Sequence, residues 1–307
     1  MRITIMGTGG VGGYFGARLA QAGHDVHFVA RGAHLAALRE HGLKVESPLG
    51  ALHLPDVKVT DDPSTIPGAD VVLFGVKLWD TEAAATAIRP LIGLDTAVIS
   101  FQNGVVKDEI LRGIVGDDAV VGGVCYIAAT IAEPGVIRHT GSMHKLVFGE
   151  HDGRSSDRVQ RFAQACAGAG FDHEPSPNIR RTQWEKFVFL VGLSGSTATA
   201  RVPIGPIRSH PRSRSFLQGL MHETVQVARA EGVDLPADYA AQRLAFCDGL
   251  IPTMTSSMHH DLQRGSRLEL RWLGGDVVAR GERLGIATPN NRAVLDILSV
   301  HADGPPA

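Results

Sequence analysis

The chain has 307 residues, 44% hydrophobic and 20% charged, with a formal net charge of −2. That length exceeds one small core and fits two domains. So even a charge balance gives no electrostatic basis for binding nucleic acid or an anionic membrane. Cys125, Cys166 and Cys247 lie far apart and outside C-x-x-C spacing, so they read as reduced thiols with no metal or disulfide role. The opening MRITIMGTGG runs straight into a strand and a glycine turn rather than an apolar leader. No run approaches the roughly 20 apolar residues of a membrane-spanning helix. The expectation is a soluble, cytoplasmic protein.

Apolar runs at 2–7, 25–30, 70–76, 96–101 and 119–126 predict strands, with helical patterns between them at 11–22, 81–89 and 105–113. Alternation of buried strands with helices predicts a parallel sheet with right-handed crossovers. Short strand candidates follow at 136–140 and 145–149, then a helix near 156–168. At FDHEPSPNIRRTQ (171–183) the pattern changes, and helices are expected over 182–200, 211–231, 237–249 and 266–285, punctuated by Pro203, Pro206, Pro252 and Pro289. The expected organisation is therefore an α/β domain over 1–177, an all-helical domain over 178–303 and a frayed tail from 304, HADGPPA closing the chain.

Gly7-Thr8-Gly9-Gly10-Val11-Gly12 follows the first strand and opens the first helix. A GxGxxG in that context lets the backbone turn sharply and present N–H groups to a dinucleotide pyrophosphate at the helix start. The first domain is thus a Rossmann-type doubly wound sheet. The second strand ends in Arg31, where an NAD site carries a carboxylate for the ribose 2′-hydroxyl. A guanidinium suits a 2′-phosphate, so the expected cofactor is NADP(H). Lys77 and Asn103 follow two further strands, at the carboxyl ends where ligands bind in open α/β sheets. Asn103 offers both a donor and an acceptor, for the nicotinamide ribose and a substrate oxygen.

GTGGVGG, VKLWD, QNGV, WEKF and SSMHHDLQRGSRLELRWLGG, in this order and covering nearly the whole chain, resemble the ketopantoate reductase (2-dehydropantoate 2-reductase) family. The resemblance implies NADPH-dependent reduction of a small 2-oxo acid, in a site between a Rossmann and a helical domain. It implies that Lys186 binds the keto oxygen and supplies the proton. Ser257 then contacts the substrate carboxylate, Glu269 lies near the cofactor ribose and the lysine, and the Ala128 backbone meets the nicotinamide. His259 and His260 point to different helix faces and are not expected to hold a metal.

One helix face departs from that family. Asparagines are expected four and eight residues after the lysine, but Leu190 and Ser194 stand there. Ser194 keeps one hydrogen-bonding group for the substrate and Leu190 keeps none. Three readings stay open: reduction of ketopantoate to pantoate, as in pantothenate biosynthesis; reduction of a less polar 2-oxo acid or carbonyl compound; and a non-catalytic NADP(H) sensor. Apolar residues on several faces of 211–231 and 266–285 leave room for a homodimer.

Overall fold

In β1 (Arg2–Met6), Ile3 and Ile5 enter one apolar core while Met6 enters another. β6 (Val71–Phe74) alternates in the same way, Val71 and Leu73 facing the first core, Val72 and Phe74 the second. Successive side chains point to opposite faces, so a strand apolar throughout needs cover on both. The first face is covered by α1 (Gly10–Gln21), α2 (Gly32–His41) and α5 (Asp157–Ala167). The second is covered by α3 (Thr81–Ile88) and α4 (Lys107–Val115).

The computed structural model describes residues 1–305. They form two units: Met1–Asn103 with Lys107–Ile179, and Gly104–Val106 with the chain from Arg180 onward. The first unit adds β2 (Asp25–Val29), β3 (Leu43–Glu46), β4 (Leu52–Leu54), β5 (Lys58–Thr60), β7 (Ala97–Ser100), β8 (Val120–Glu133), β9 (Val136–Gly149) and β10 (Asp172–Pro175). The sheet order is β4-β3-β9-β8-β7-β6-β1-β2-β5, with β10 beside β9. From β5 to β8 every neighbour is parallel. The chain winds outward from β1 to β2 and β5, then returns to β6 on the other side of β1. The carboxyl ends of β1 and β6 therefore form the switch point at which such sheets bind ligands.

Several sequence expectations are corrected. The two candidates at 136–140 and 145–149 are one strand, β9, paired antiparallel with β8. Polar Asp172–Pro175, in the stretch where the sequence pattern changes and no strand is expected, is β10; its backbone pairs with β9 and no apolar pattern marks it. β3, β4 and β5 went unpredicted because each is short and interrupts its apolar residues with polar ones, as in LKVE, LHL and KVT.

The second unit contains α6 (Ile179–Ala200), α7 (Ile204–Ser209), α8 (Pro211–Ala230), α9 (Tyr239–Asp248), α10 (Ser257–Gln263), α11 (Gly274–Leu284) and α12 (Pro289–Leu298), and no strand among the described residues. Its core gathers Trp184, Phe187, Leu217, Leu220, Leu270 and Val277, together with Val105 from the short excursion at 104–106. Prolines open α8 and α12, where a missing N–H costs nothing. The helix expected over 266–285 starts only at Gly274; Leu270–Trp272 is a single 3-10 turn before it. Nor does the end of the chain fray from His301: Leu268 N–H donates to the Ala302 carbonyl at 2.9 Å. The expected tail at 304–307 lies partly outside the described residues. No described helix is long and apolar enough to cross a membrane.

Candidate active site

Immediately after β1, Gly7 has φ +99°, a conformation side chains rarely adopt. A Cβ there would also stand 2.8 Å from both the Val76 amide nitrogen and its Cγ1. A Cβ on Gly10 would strike the Ala129 carbonyl, and one on Gly12 the Gly7 carbonyl. Of these four glycines only Gly9 faces open space, with nothing within 4 Å of where a Cβ would sit. α1 begins beside it with no side-chain cap and no acidic residue in its first turn. Unclaimed backbone N–H groups at the positive end of a helix, approachable at Gly9, suit a pyrophosphate. Thr8 fixes the loop, since its N–H and its Oγ1 both donate to the Val29 carbonyl, at 3.0 and 2.9 Å. Val11 packs on the first core.

Arg31 is exposed at the N-cap position of α2, two residues past β2. One turn on, His34 Nδ1 accepts from Gly135 N–H at 3.0 Å, so that nitrogen carries no proton. Burial lowers the His34 pKa and keeps the ring neutral.

Lys77 is exposed just beyond β6, its Nζ 5.5 Å from the centroid of the Trp79 ring. Half-buried Asn103 lies just beyond β7 and precedes Gly104 at φ +82°. Two neighbours that the sequence reading passed over fix this region. Gln102, 7% exposed, donates through Nε2 to the Val76 carbonyl (3.0 Å) and Thr81 Oγ1 (2.9 Å). Lys107, 1% exposed, reaches back from α4 to the carbonyls of Ser100 (2.6 Å) and Gly123 (2.8 Å). Beside it, Asp108 lies 3.4 Å from the ammonium and 3.2 Å from His151 Nε2. Ala128 is exposed on β8 at a register shift, and its carbonyl accepts from Thr140 Oγ1 at 3.4 Å.

In the helical unit, Lys186 is half-buried in the second turn of α6, flanked by buried Trp184 and Phe187. Leu190 is half-buried and packs on the helical core. Ser194 is wholly buried, and its Oγ has no hydrogen-bond partner. Most helical serines in such a place bond back to the preceding turn, as Ser196 does to the Gly192 carbonyl at 2.7 Å.

Ser256 and Ser257 have different jobs. Ser256 caps α10, accepting from His259 N–H at 3.1 Å, and its hydroxyl meets Thr197 Oγ1 at 3.0 Å. His259 Nδ1 lies 2.9 Å from the Thr197 carbonyl and must therefore carry the proton. These contacts bind the start of α10 to α6, which leaves Ser257 exposed at the first helical position. Glu269, expected within a helix, sits just ahead of the 3-10 turn and is 7% exposed. His259 and His260 join no group of metal-ligating side chains among the described residues. Gly7–Gly12, Lys77 and Asn103 thus cluster at neighbouring strand ends of the first unit, with Arg31 at the end of β2. Lys186, Ser194 and Ser257 belong to the linked helices α6 and α10 of the second.

Comparison with known proteins agrees with this architecture. Residues 3–153 match the family model "Ketopantoate reductase PanE/ApbA", and residues 178–302 match "Ketopantoate reductase PanE/ApbA C terminal". A 2-dehydropantoate 2-reductase of Halobacterium salinarum is 33% identical over 97% of this chain and 98% of its own. The uncharacterized oxidoreductase YkpB of Bacillus subtilis is 31% identical over 94% of this chain and 95% of its own. The crystal structure of a PanE/ApbA family ketopantoate reductase from Ralstonia eutropha superposes with a TM-score of 0.90, at 35% identity and 98% coverage of both chains. This chain is an oxidoreductase of the ketopantoate reductase family.

Proposed function

We propose that the protein reduces a small 2-oxo acid with NADPH, ketopantoate to pantoate being the leading case. The observation that carries this reading is Lys186, half-buried on α6 beside buried Trp184 and Phe187. The Gly7–Gly12 loop fits a dinucleotide pyrophosphate because Gly9 is open and α1 is uncapped. Arg31 would hold the 2′-phosphate through charge-assisted hydrogen bonds. Lys77 and Asn103 would border the nicotinamide ribose, with the Ala128 backbone beside the ring.

When bound, NADPH supplies a hydride from C4 to the carbonyl carbon. Lys186 donates a hydrogen bond to the carbonyl oxygen, stabilises the charge that gathers there and gives it the proton that completes the hydroxyl. Glu269 would orient the lysine, and Asn103 would donate to the same oxygen. Ser257 would donate to the substrate carboxylate at the exposed start of α10.

Leu190 supports a second reading, in which the preferred substrate carries an apolar side chain in place of the hydroxyl of ketopantoate. An unmatched buried hydroxyl costs about 1–3 kcal/mol. The test is NADPH consumption, followed by absorbance, with ketopantoate and a panel of less polar 2-oxo acids, beside Lys186→Ala. Turnover should fall roughly 100-fold or more in Lys186→Ala while NADPH affinity holds. Equal turnover by the variant would sink the reading, and NADPH binding without turnover of any 2-oxo acid would favour a sensor.

A further inference from the structure

The parallel pairing of β6 with β7 ends at Phe74 and Ser100, apart from Phe101 N–H donating to the Phe74 carbonyl at 2.9 Å. Lys77 and Asn103 lie beyond that point, on loops that the backbone ladder no longer spaces. Gln102 takes over the spacing. Its Nε2 donates to the Val76 carbonyl and to Thr81 Oγ1, and its Oε1 accepts from Ser100 Oγ at 2.9 Å. Thr81 Oγ1 donates onward to the Leu78 carbonyl at 2.7 Å. The amide has one workable orientation, because a flip would set its oxygen against the Val76 carbonyl.

One peptide bond separates Val76 from Lys77, and another separates Gln102 from Asn103. The same Val76 is the residue that a Cβ on Gly7 would strike. The Gln102 amide therefore bridges the segment bearing Lys77, packed against the pyrophosphate loop, to the segment bearing Asn103. Lys107 on the Ser100 carbonyl and Cys125 Sγ, 3.2 Å from the Phe101 carbonyl, hold the residues just before it.

We propose that Gln102 is a positioning residue, setting Asn103 relative to Lys77 and hence the geometry of hydride transfer. This rests on the site assignment proposed above. Misplacing a reacting group by about 1 Å can cost roughly 100-fold in rate. Gln102→Met keeps the length and removes every side-chain hydrogen bond. It should lower kcat about 10–100-fold, yet change kcat less than about twofold when added to Asn103→Ala, since two residues acting on one function are not additive.

The assay uses the full-length enzyme with NADPH and whichever of ketopantoate or 2-oxoisovalerate it turns over faster. Tm is recorded for each variant. Wild-type kcat in Gln102→Met beside a crippled Asn103→Ala would overturn the positioning role alone. So would an equal loss on both backgrounds, which is the mark of general structural damage. Asn103→Ala with wild-type kcat would overturn the site assignment, and the proposal with it. If Gln102→Met fails to fold, Gln102→Glu carries the same test, because it keeps the acceptor for Ser100 Oγ and loses both donors.

Discussion

Arg31 and Lys107 are both cations of the first unit, one exposed and one sealed, and they should fail in different ways. Replacing Arg31 with Ala removes the proposed partner of the 2′-phosphate. A charge-assisted hydrogen bond contributes about 1.5–3 kcal/mol, so the Kd for NADPH should rise roughly 10–100-fold while that for NADH barely moves. Fluorescence titration with the two nucleotides decides this, and parallel losses would remove Arg31 from the cofactor site. Lys107→Met instead strands Asp108, a carboxylate 3% exposed, without its nearest ammonium. Breaking a buried pair from one side costs about 3–5 kcal/mol, to be read from urea unfolding. Adding Asp108→Asn should recover part of that loss. The glycines at 7, 9 and 12 were legible in the sequence because they keep a fixed spacing between a strand and a helix. Lys107 was not. In VVKDEI it has the look of a solvated first turn, and only the convergence of the Ser100 and Gly123 carbonyls from two strands makes a buried site for it.

Among the elements, α10 offers the cleanest separation of cap from site. Ser256→Ala should destabilise the protein by about 1 kcal/mol through loss of the helix cap, with its tie to Thr197 lost as well. Ser257→Ala should leave Tm unchanged and raise the KM for the 2-oxo acid. Thermal melts and steady-state kinetics on the pair check this, and a reversed pattern would contradict the assignment. At the other end of the helical unit, buried Glu223 on α8 accepts from the backbone N–H and side-chain amide of both Asn290 and Asn291, at 2.6–2.9 Å. It thereby caps the first turn of α12 from a neighbouring helix. Glu223→Ala should be among the most damaging substitutions in this unit, at about 3 kcal/mol or more by chemical denaturation, because four donors lose their acceptor together. The boundaries of most long helices could be read from periodicity and proline. The break before α11 could not, since RLELRWLGGDVV keeps a helical apolar rhythm across Leu273, where the backbone turns at φ −108° and ψ −104°. β10 was hidden for the opposite reason, since it is held to β9 by its backbone and the Lys145–Glu174 ion pair rather than by an apolar face.

For the molecule as a whole, the pH dependence of stability follows from three histidines of the first unit. Burial lowers the pKa of His27, His34 and His144. Below the ordinary imidazole value of about 6.5, the unfolded chain therefore binds more protons than the folded one, and stability falls with pH. Tm should be level from about pH 8 to 7 and decline below about 6.5. His34→Asn, whose carbonyl oxygen would still accept from Gly135 N–H, should flatten that decline. A Tm that rose on acidification would contradict the assignment. Below that range Glu150 takes over. Burial alone would raise its pKa, but hydrogen bonds from Arg158 and Ser156 outweigh burial and hold it low. Its contribution is accordingly lost only as the pH drops through that lowered value.

The excursion at Gly104–Val106 bears on how such a chain can be inherited. The helical unit takes one of its core side chains, Val105, from a segment enclosed within the first unit's stretch of sequence. A genetic crossover at the boundary near Ile179 would join two apparently whole domains and yet give the new helical unit a foreign residue at that core position. Halves from different relatives should therefore combine into stable proteins only when residues 104–106 travel with the C-terminal half, and so the three residues after Asn103 must be inherited together with a unit that begins more than seventy positions later.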